Sequence, residues 1–224
     1  MYKASSENRF EGPHQKSNTV HAGVDVNEAK GAMIMIHGRG ATAESIIMLA
    51  DEFGDHQLHL VAPQAQGFQW YPNSFLAPSD RNEPGISSGL QQIYNIIEEL
   101  EEKGIPREKI ILLGFSQGAC LASEFIARHP AKYGGLAALS GGLIGNGDTV
   151  PTEEYSGSLE KTPIFLGCSN VDAHIPQERV DETAVVMENL GGDVNKKIYK
   201  GMGHTVNRDE IAHVKKIIET VQSE

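Results

Sequence analysis

Short strand-like runs, most of them rich in apolar and β-forming residues, alternate with amphipathic stretches along most of the chain, and this alternation restricts the fold more than any other feature of the sequence. The runs are Ala32–Ile36 (AMIMI), Leu58–Ala62 (LHLVA), Lys109–Leu113 (KIILL), Gly135–Leu139 (GLAAL), Pro163–Gly167 (PIFLG) and Val194–Tyr199 (VNKKIY). A strand with one wet face alternates apolar and polar residues; a strand covered on both faces has no reason to. Between the runs lie helical patterns. Ser87–Lys103 sets Leu90, Ile93, Tyr94, Ile97 and Leu100 on one face before Gly104 ends it. Ala43–Glu52, Gln117–Arg128, Gln177–Leu190 and Arg208–Gln222 read the same way. The order predicts an α/β chain with a mostly parallel central sheet and helices on both faces. A further short run, Val20–Val26, suits an edge.

A chain of 224 residues with 39% hydrophobic residues can bury one sizeable core, so residues 19–224 are expected to form a single domain. Residues 1–18 are polar, and partial disorder is expected there. The N-terminal stretch lacks the apolar centre of an export signal, and no run approaches the ~18 apolar residues of a membrane span. A net charge of −11 argues against nucleic acid, which requires a basic footprint, and against anionic membranes. Cys120 and Cys168 both stand in apolar surroundings, so they read as reduced core residues of a cytoplasmic protein. Monomer and homodimer are both compatible with the sequence.

The stretch LLGFSQGAC, residues 112–120, leaves a predicted strand and enters a predicted helix through Gly114-Phe115-Ser116-Gln117-Gly118. A tight strand-to-helix turn would explain the glycines. A nucleophile held on a strained elbow explains them and the serine together, with the helix N-terminus placed to stabilise an oxyanion. Such a serine needs a general base. Of the nine histidines, His204 lies in a glycine-flexed loop after the last strand, on the rim where parallel strands end. His37 belongs to a segment with another task, His129 ends a helix, and His56, His59 and His213 fall in regular patterns. His14, His21 and His174 have no comparable placement, although His174 is close to the candidate acid.

That acid, which would orient the base, is Asp172 in SNVDAHIP; Asp148, after the preceding strand, is its rival. Asp181 and Asp193 are worse placed, on a helix and on the opposite rim. The chain order Ser116, Asp172, His204 is that of α/β-hydrolases. The loop His37–Thr42 (HGRGAT) follows the first central strand, and its glycines allow close backbone approach. It points to the backbone N–H groups of Arg39 and Gln117 as oxyanion donors, with a plain helix-capping turn as the alternative.

Together HGRGAT, GFSQGA, SNVDAHIP and GMGHTV resemble the phospholipase/carboxylesterase family of α/β-hydrolases, which includes acyl-protein thioesterases. The resemblance covers residues 34 to 206. It implies an α/β-hydrolase fold without a large cap domain and a serine esterase or thioesterase that needs no cofactor or metal. It carries over Ser116, Asp172 and His204 as a triad, with Arg39 and Gln117 as oxyanion donors. The substrates expected are small to medium acyl or aryl esters, possible thioesters included. A dienelactone-hydrolase-like lactonase and a non-catalytic receptor of the same fold are the alternatives. The thioesterases of the family carry an apolar residue where Arg39 stands. Its guanidinium either faces solvent or favours substrates with an anionic group. Two long connections, Pro63–Gly85 and Ser140–Leu159, exceed the usual ~4–6 residues and suggest function. Trp70, Phe75 and Leu76 in the first are read as an acyl or aryl wall, or as packing for the loop. Met202, between the glycines of the His204 loop, either touches substrate or packs.

Overall fold

The computed structural model describes residues 2–145, 147, 150 and 155–223. The runs become β1 (Thr19–Gly23), β2 (Gly31–Ile36), β3 (Leu58–Pro63), β4 (Ile110–Phe115), β5 (Gly135–Leu139), β6 (Pro163–Ser169) and β7 (Asp193–Tyr199). The helices are α1 (Ala43–Ile47), α2 (Gly85–Glu102), α3 (Gln117–Arg128), α4 (Gln177–Asn189) and α5 (Arg208–Ser223). The predicted Ala43–Glu52 helix is a short α-helix that continues as a 3-10 turn from Met48 to Phe53.

The strands form one sheet in the order β1-β3-β2-β4-β5-β6-β7. Among the described residues, only the β1–β3 edge pair is antiparallel. Every residue of β2 and β3 is buried, in keeping with sequences that are apolar but for His59. Successive side chains alternate between two cores. Ile34, Leu112, Ala138 and Leu166 pack with α2, α3 and α4 on one face. Met33, Leu113, Ala137 and Phe165 pack with α1 and α5 on the other. No cap domain and no helix long and apolar enough to cross a membrane occur among the described residues.

Several residues of the 2–18 segment hydrogen-bond to the rest of the chain. His14 donates from Nε2 to the Trp70 carbonyl at 2.9 Å and accepts the Gln66 N–H on Nδ1 at 3.0 Å. The Ala4 N–H reaches His129 Nε2 at 2.8 Å, and Gln15 donates to the Ser88 carbonyl at 2.7 Å. Polar groups of Ala4, His14 and Gln15 are thus spent on the end of α3, the 63–85 connection and α2, while residues 6–9 stay exposed.

Candidate active site

The carboxyl ends of β2, β4, β6 and β7 share one rim, as parallel strands dictate, and each contributes a loop to one place. The turn from β4 into α3 sets Ser116 at φ 56°, ψ −121°, a sparsely populated conformation for a residue with a Cβ. Two glycines make it possible. A Cβ on Gly114 would lie 2.4 Å from the Gly118 carbonyl group, and one on Gly118 would lie 2.0 Å from the Ile36 carbonyl oxygen. Thus α3 sits directly against the end of β2, and Ser116 is lifted onto the rim.

His204 Nε2 lies 2.9 Å from Ser116 Oγ, and His204 Nδ1 lies 2.7 Å from Asp172 Oδ2. A carboxylate on Nδ1 requires the N–H there, which leaves the Nε2 lone pair facing the serine hydroxyl. The imidazole packs between Phe115, with ring centroids 5.0 Å apart, and His174, edge-on at 4.8 Å. Its loop is tied to the acid loop: Gly203 N–H donates to Ser169 Oγ at 3.0 Å and Gly201 N–H to Asn170 Oδ1 at 2.9 Å.

The Asp172 side chain is fully covered. Burial alone would raise its pKa, but the hydrogen bond from His204 and those from the backbone N–H groups of His174 and Ile175 outweigh it and hold the carboxyl below its ordinary value. The rival Asp148 lies outside the described residues.

Beside Ser116 opens a cavity of about 470 Å³, lined in part by Arg39, Gln117, Phe75 and His204. Among the described residues, neither the Arg39 nor the Gln117 backbone N–H donates a hydrogen bond. Arg39 is exposed, and its guanidinium is held against the neighbouring connection. Its Nη1 donates to Gln69 Oε1 at 2.7 Å and to the Pro72 carbonyl at 2.9 Å, and its Nη2 donates to the Asn73 carbonyl at 2.6 Å.

Of the expected substrate contacts, only Phe75 lines the cavity. Trp70 is fully buried beneath the loop, between the rings of His14 and His37, and donates from Nε1 to the His37 carbonyl at 2.9 Å. Leu76 packs against the core, and Met202 Sδ accepts from Asn207 Nδ2 at 2.7 Å. The wall is instead built by Tyr71, Cys120, Ile175 and His174. Cys120 was discoverable, since it follows Ser116 by one helical turn. His174 is placed by its N–H, which bonds Asp172 Oδ1 at 2.8 Å. Both cysteines are free and buried, and burial pushes each thiol up to about 12.

The two long connections are joined at Phe75 and Leu76. Gly145 N–H donates to the Phe75 carbonyl at 3.2 Å and Gly147 N–H to that of Leu76 at 2.7 Å. Behind Phe75, the buried Arg179 guanidinium lies 5.6 Å from the ring centroid and donates to the Leu143 and Gly147 carbonyls.

A mostly parallel sheet with a serine on a strained turn between a central strand and a helix defines the α/β-hydrolase class. Comparison with known proteins narrows the class. The chain belongs to the phospholipase/carboxylesterase family, whose model matches residues 20–222. It is 38% identical to a phospholipase/carboxylesterase from Dyadobacter fermentans DSM 18053, with a TM-score of 0.85 over 98% of this chain and 99% of that one. Acyl-protein thioesterase 1 of Saccharomyces cerevisiae is 27% identical over 90% of this chain and 97% of its own length. Esterase PE8, at 21% identity and a TM-score of 0.72 over 92% and 99% of the two chains, shares the fold. The protein is a hydrolase of the serine type, acting on esters or thioesters.

Proposed function

We propose that the protein is a carboxylesterase for small to medium acyl or aryl esters, thioesters included, working through an acyl-enzyme on Ser116. The observation that carries this reading is the hydrogen-bonded series Ser116–His204–Asp172 at the mouth of the cavity. Ser116 Oγ attacks the ester carbonyl as His204 Nε2 takes its proton, and the same proton then goes to the leaving oxygen or sulfur. Asp172 fixes the tautomer and stabilises the imidazolium. The N–H groups of Arg39 and Gln117 receive the carbonyl oxygen as it becomes negative, each stabilising that state by about 3 kcal/mol. Water attacks the acyl-enzyme by the same route and releases the acid.

A rim carrying Arg39, Asn73 and Ser74 supports compact substrates over long fatty chains. Two unpaired buried thiols support residence in the reducing cytoplasm. The test is hydrolysis of p-nitrophenyl esters from acetyl to palmitoyl by wild type and Ser116→Ala. Activity peaking at short chains and absent from the variant is the expected result. A peak at palmitoyl would replace the small-substrate reading with a long-chain one. Turnover surviving in the variant would remove Ser116 as nucleophile.

A further inference from the structure

Both residues whose backbone N–H groups face the reacting carbonyl spend their side chains on the same five-residue segment of the 63–85 connection. From one side, the Gln117 carboxamide accepts the Trp70 N–H on Oε1 and donates from Nε2 to the Tyr71 carbonyl, both at 2.8 Å. From the other, the Arg39 guanidinium holds Gln69, Pro72 and Asn73. The segment itself has no helix or strand to fix it beyond the 3-10 turn at Gln66–Phe68.

The two donors differ in rigidity. The Gln117 N–H is the first of α3 and moves only with that helix. The Arg39 N–H sits in Gly38-Arg39-Gly40, a segment whose glycines leave the backbone permissive, with Gly40 at φ 77°. Near Arg39, the main chain is joined to the neighbouring connection by the Gly40 N–H to Phe68 carbonyl bond at 2.7 Å. Within the loop the Gly38 carbonyl accepts the Ala41 N–H at 3.2 Å and His37 Nδ1–H at 2.8 Å, and the His37 carbonyl accepts Trp70 Nε1–H. To these Arg39's own side chain adds three bonds to residues 69–73.

We infer that the side chains of Arg39 and Gln117 form a clamp that sets the spacing of the two oxyanion donors, using residues 69–73 as the spacer. The rigid helix α3 holds the spacer through Gln117, and the spacer holds the flexible donor through Arg39. Both side chains are therefore positioning residues. The same spacer carries Tyr71, Pro72 and Asn73 into the cavity wall, so wall and oxyanion site move as one unit. This inference rests on the proposed role of the two N–H groups.

The test uses Arg39→Met, Arg39→Lys, Gln117→Leu and the double variant R39M/Q117L. Competent sites are counted in each by titrating Ser116 to completion with a fluorophosphonate, so misfolded protein does not enter the rate. For p-nitrophenyl acetate, each single loss lowers kcat per titrated site on the order of tenfold while KM stays within about twofold. Affinity for a trifluoromethyl ketone, whose adduct places an oxyanion between the two donors, falls with kcat/KM. Arg39→Lys, able to replace one donor of three, recovers part of the loss. The double variant loses little more than either single one, because a spacer released at one end no longer transmits the other.

Unchanged kcat per site, or fully additive losses, would overturn the clamp. So would a defect in Arg39→Met confined to KM for an anionic ester such as mono-p-nitrophenyl succinate, which would make Arg39 an anion receptor. Failure of the fluorophosphonate to titrate wild type would instead remove the serine-esterase reading itself.

Discussion

Ser116 Oγ stands 2.9 Å from His204 Nε2, on a residue 88 positions away, and it does so from a backbone conformation that its own Cβ disfavours. A non-glycine residue held in such a region costs about 1–3 kcal/mol. Ser116→Gly removes the hydroxyl and the strain together, whereas Ser116→Ala removes only the hydroxyl. Glycine adds back about 0.5–1 kcal/mol of unfolded-chain entropy, so the glycine variant should be the more stable by about 1 kcal/mol. Urea unfolding of the two inactive variants measures this directly. An alanine variant at least as stable as the glycine one would mean that the elbow stores no strain.

Asp172→Asn isolates the proposed orienting acid. Asparagine keeps an acceptor for the His174 and Ile175 N–H groups, which bond Oδ1 at 2.8 and 3.1 Å. Its amide can instead face His204 Nδ1, favouring the tautomer with the proton on Nε2, which cannot take one from Ser116. The expected loss in kcat is about 10⁴-fold with the fold intact. Because the wild-type carboxyl is depressed, its stabilising contribution is present above the unfolded value near ~3.9 and is lost only as pH falls through the lower folded value. A loss in kcat below about a hundredfold would pass the role of acid to another carboxylate.

The central strands were legible because residues such as Met33 and Ile34 are both buried although they face opposite cores, a condition that removes polar residues from the sequence. The elbow was legible because its glycines answer a local clash. The cavity wall was not. Trp70 and Tyr71 are adjacent aromatics in a loop without periodicity, and which one faces the cavity depends on the grip of Gln117, 46 residues from Tyr71. The fate of the Arg39 guanidinium was hidden in the same way, since its acceptors include the Pro72 and Asn73 carbonyls. The docking of His14 was hidden because a polar composition reads the same whether its partners are water or backbone.

Trp70→Phe and Phe75→Leu should separate packing from substrate contact. The first leaves the His37 carbonyl without its indole donor, costing at least about 2 kcal/mol of stability through the lost bond and the lost volume. Its acyl-chain profile, measured per titrated site, should match wild type. Phe75→Leu opens the cavity and should move the optimum towards longer chains. A shifted profile in Trp70→Phe, or an unshifted one in Phe75→Leu, would reverse the two assignments.

Glu210 should make the fold less stable as pH rises. Its side chain is buried on α5; Oε2 accepts the Asn207 N–H at 2.8 Å, while Oε1 has no hydrogen-bond partner among the described residues. That oxygen faces Gly167 so closely that a Cβ there would lie 2.3 Å away. Burial pushes the carboxyl from 4.5 up to about 7, with the Asn207 N–H lowering it and Asp209 raising it to smaller extents. The folded state thus holds the proton more tightly than the unfolded chain. Stability from this group is complete below the unfolded value, falls as pH rises from ~4.5 to ~7, and is flat above that, a total of up to about 3 kcal/mol. In Glu210→Gln the carboxyl is gone and that part of the slope goes with it, so the variant gains on wild type steadily between pH 5 and pH 7. Urea unfolding of both proteins at pH 5, 6, 7 and 8 tests the prediction. A difference between them that stays constant over that range would mean that Glu210 is ionised throughout and finds a partner for Oε1.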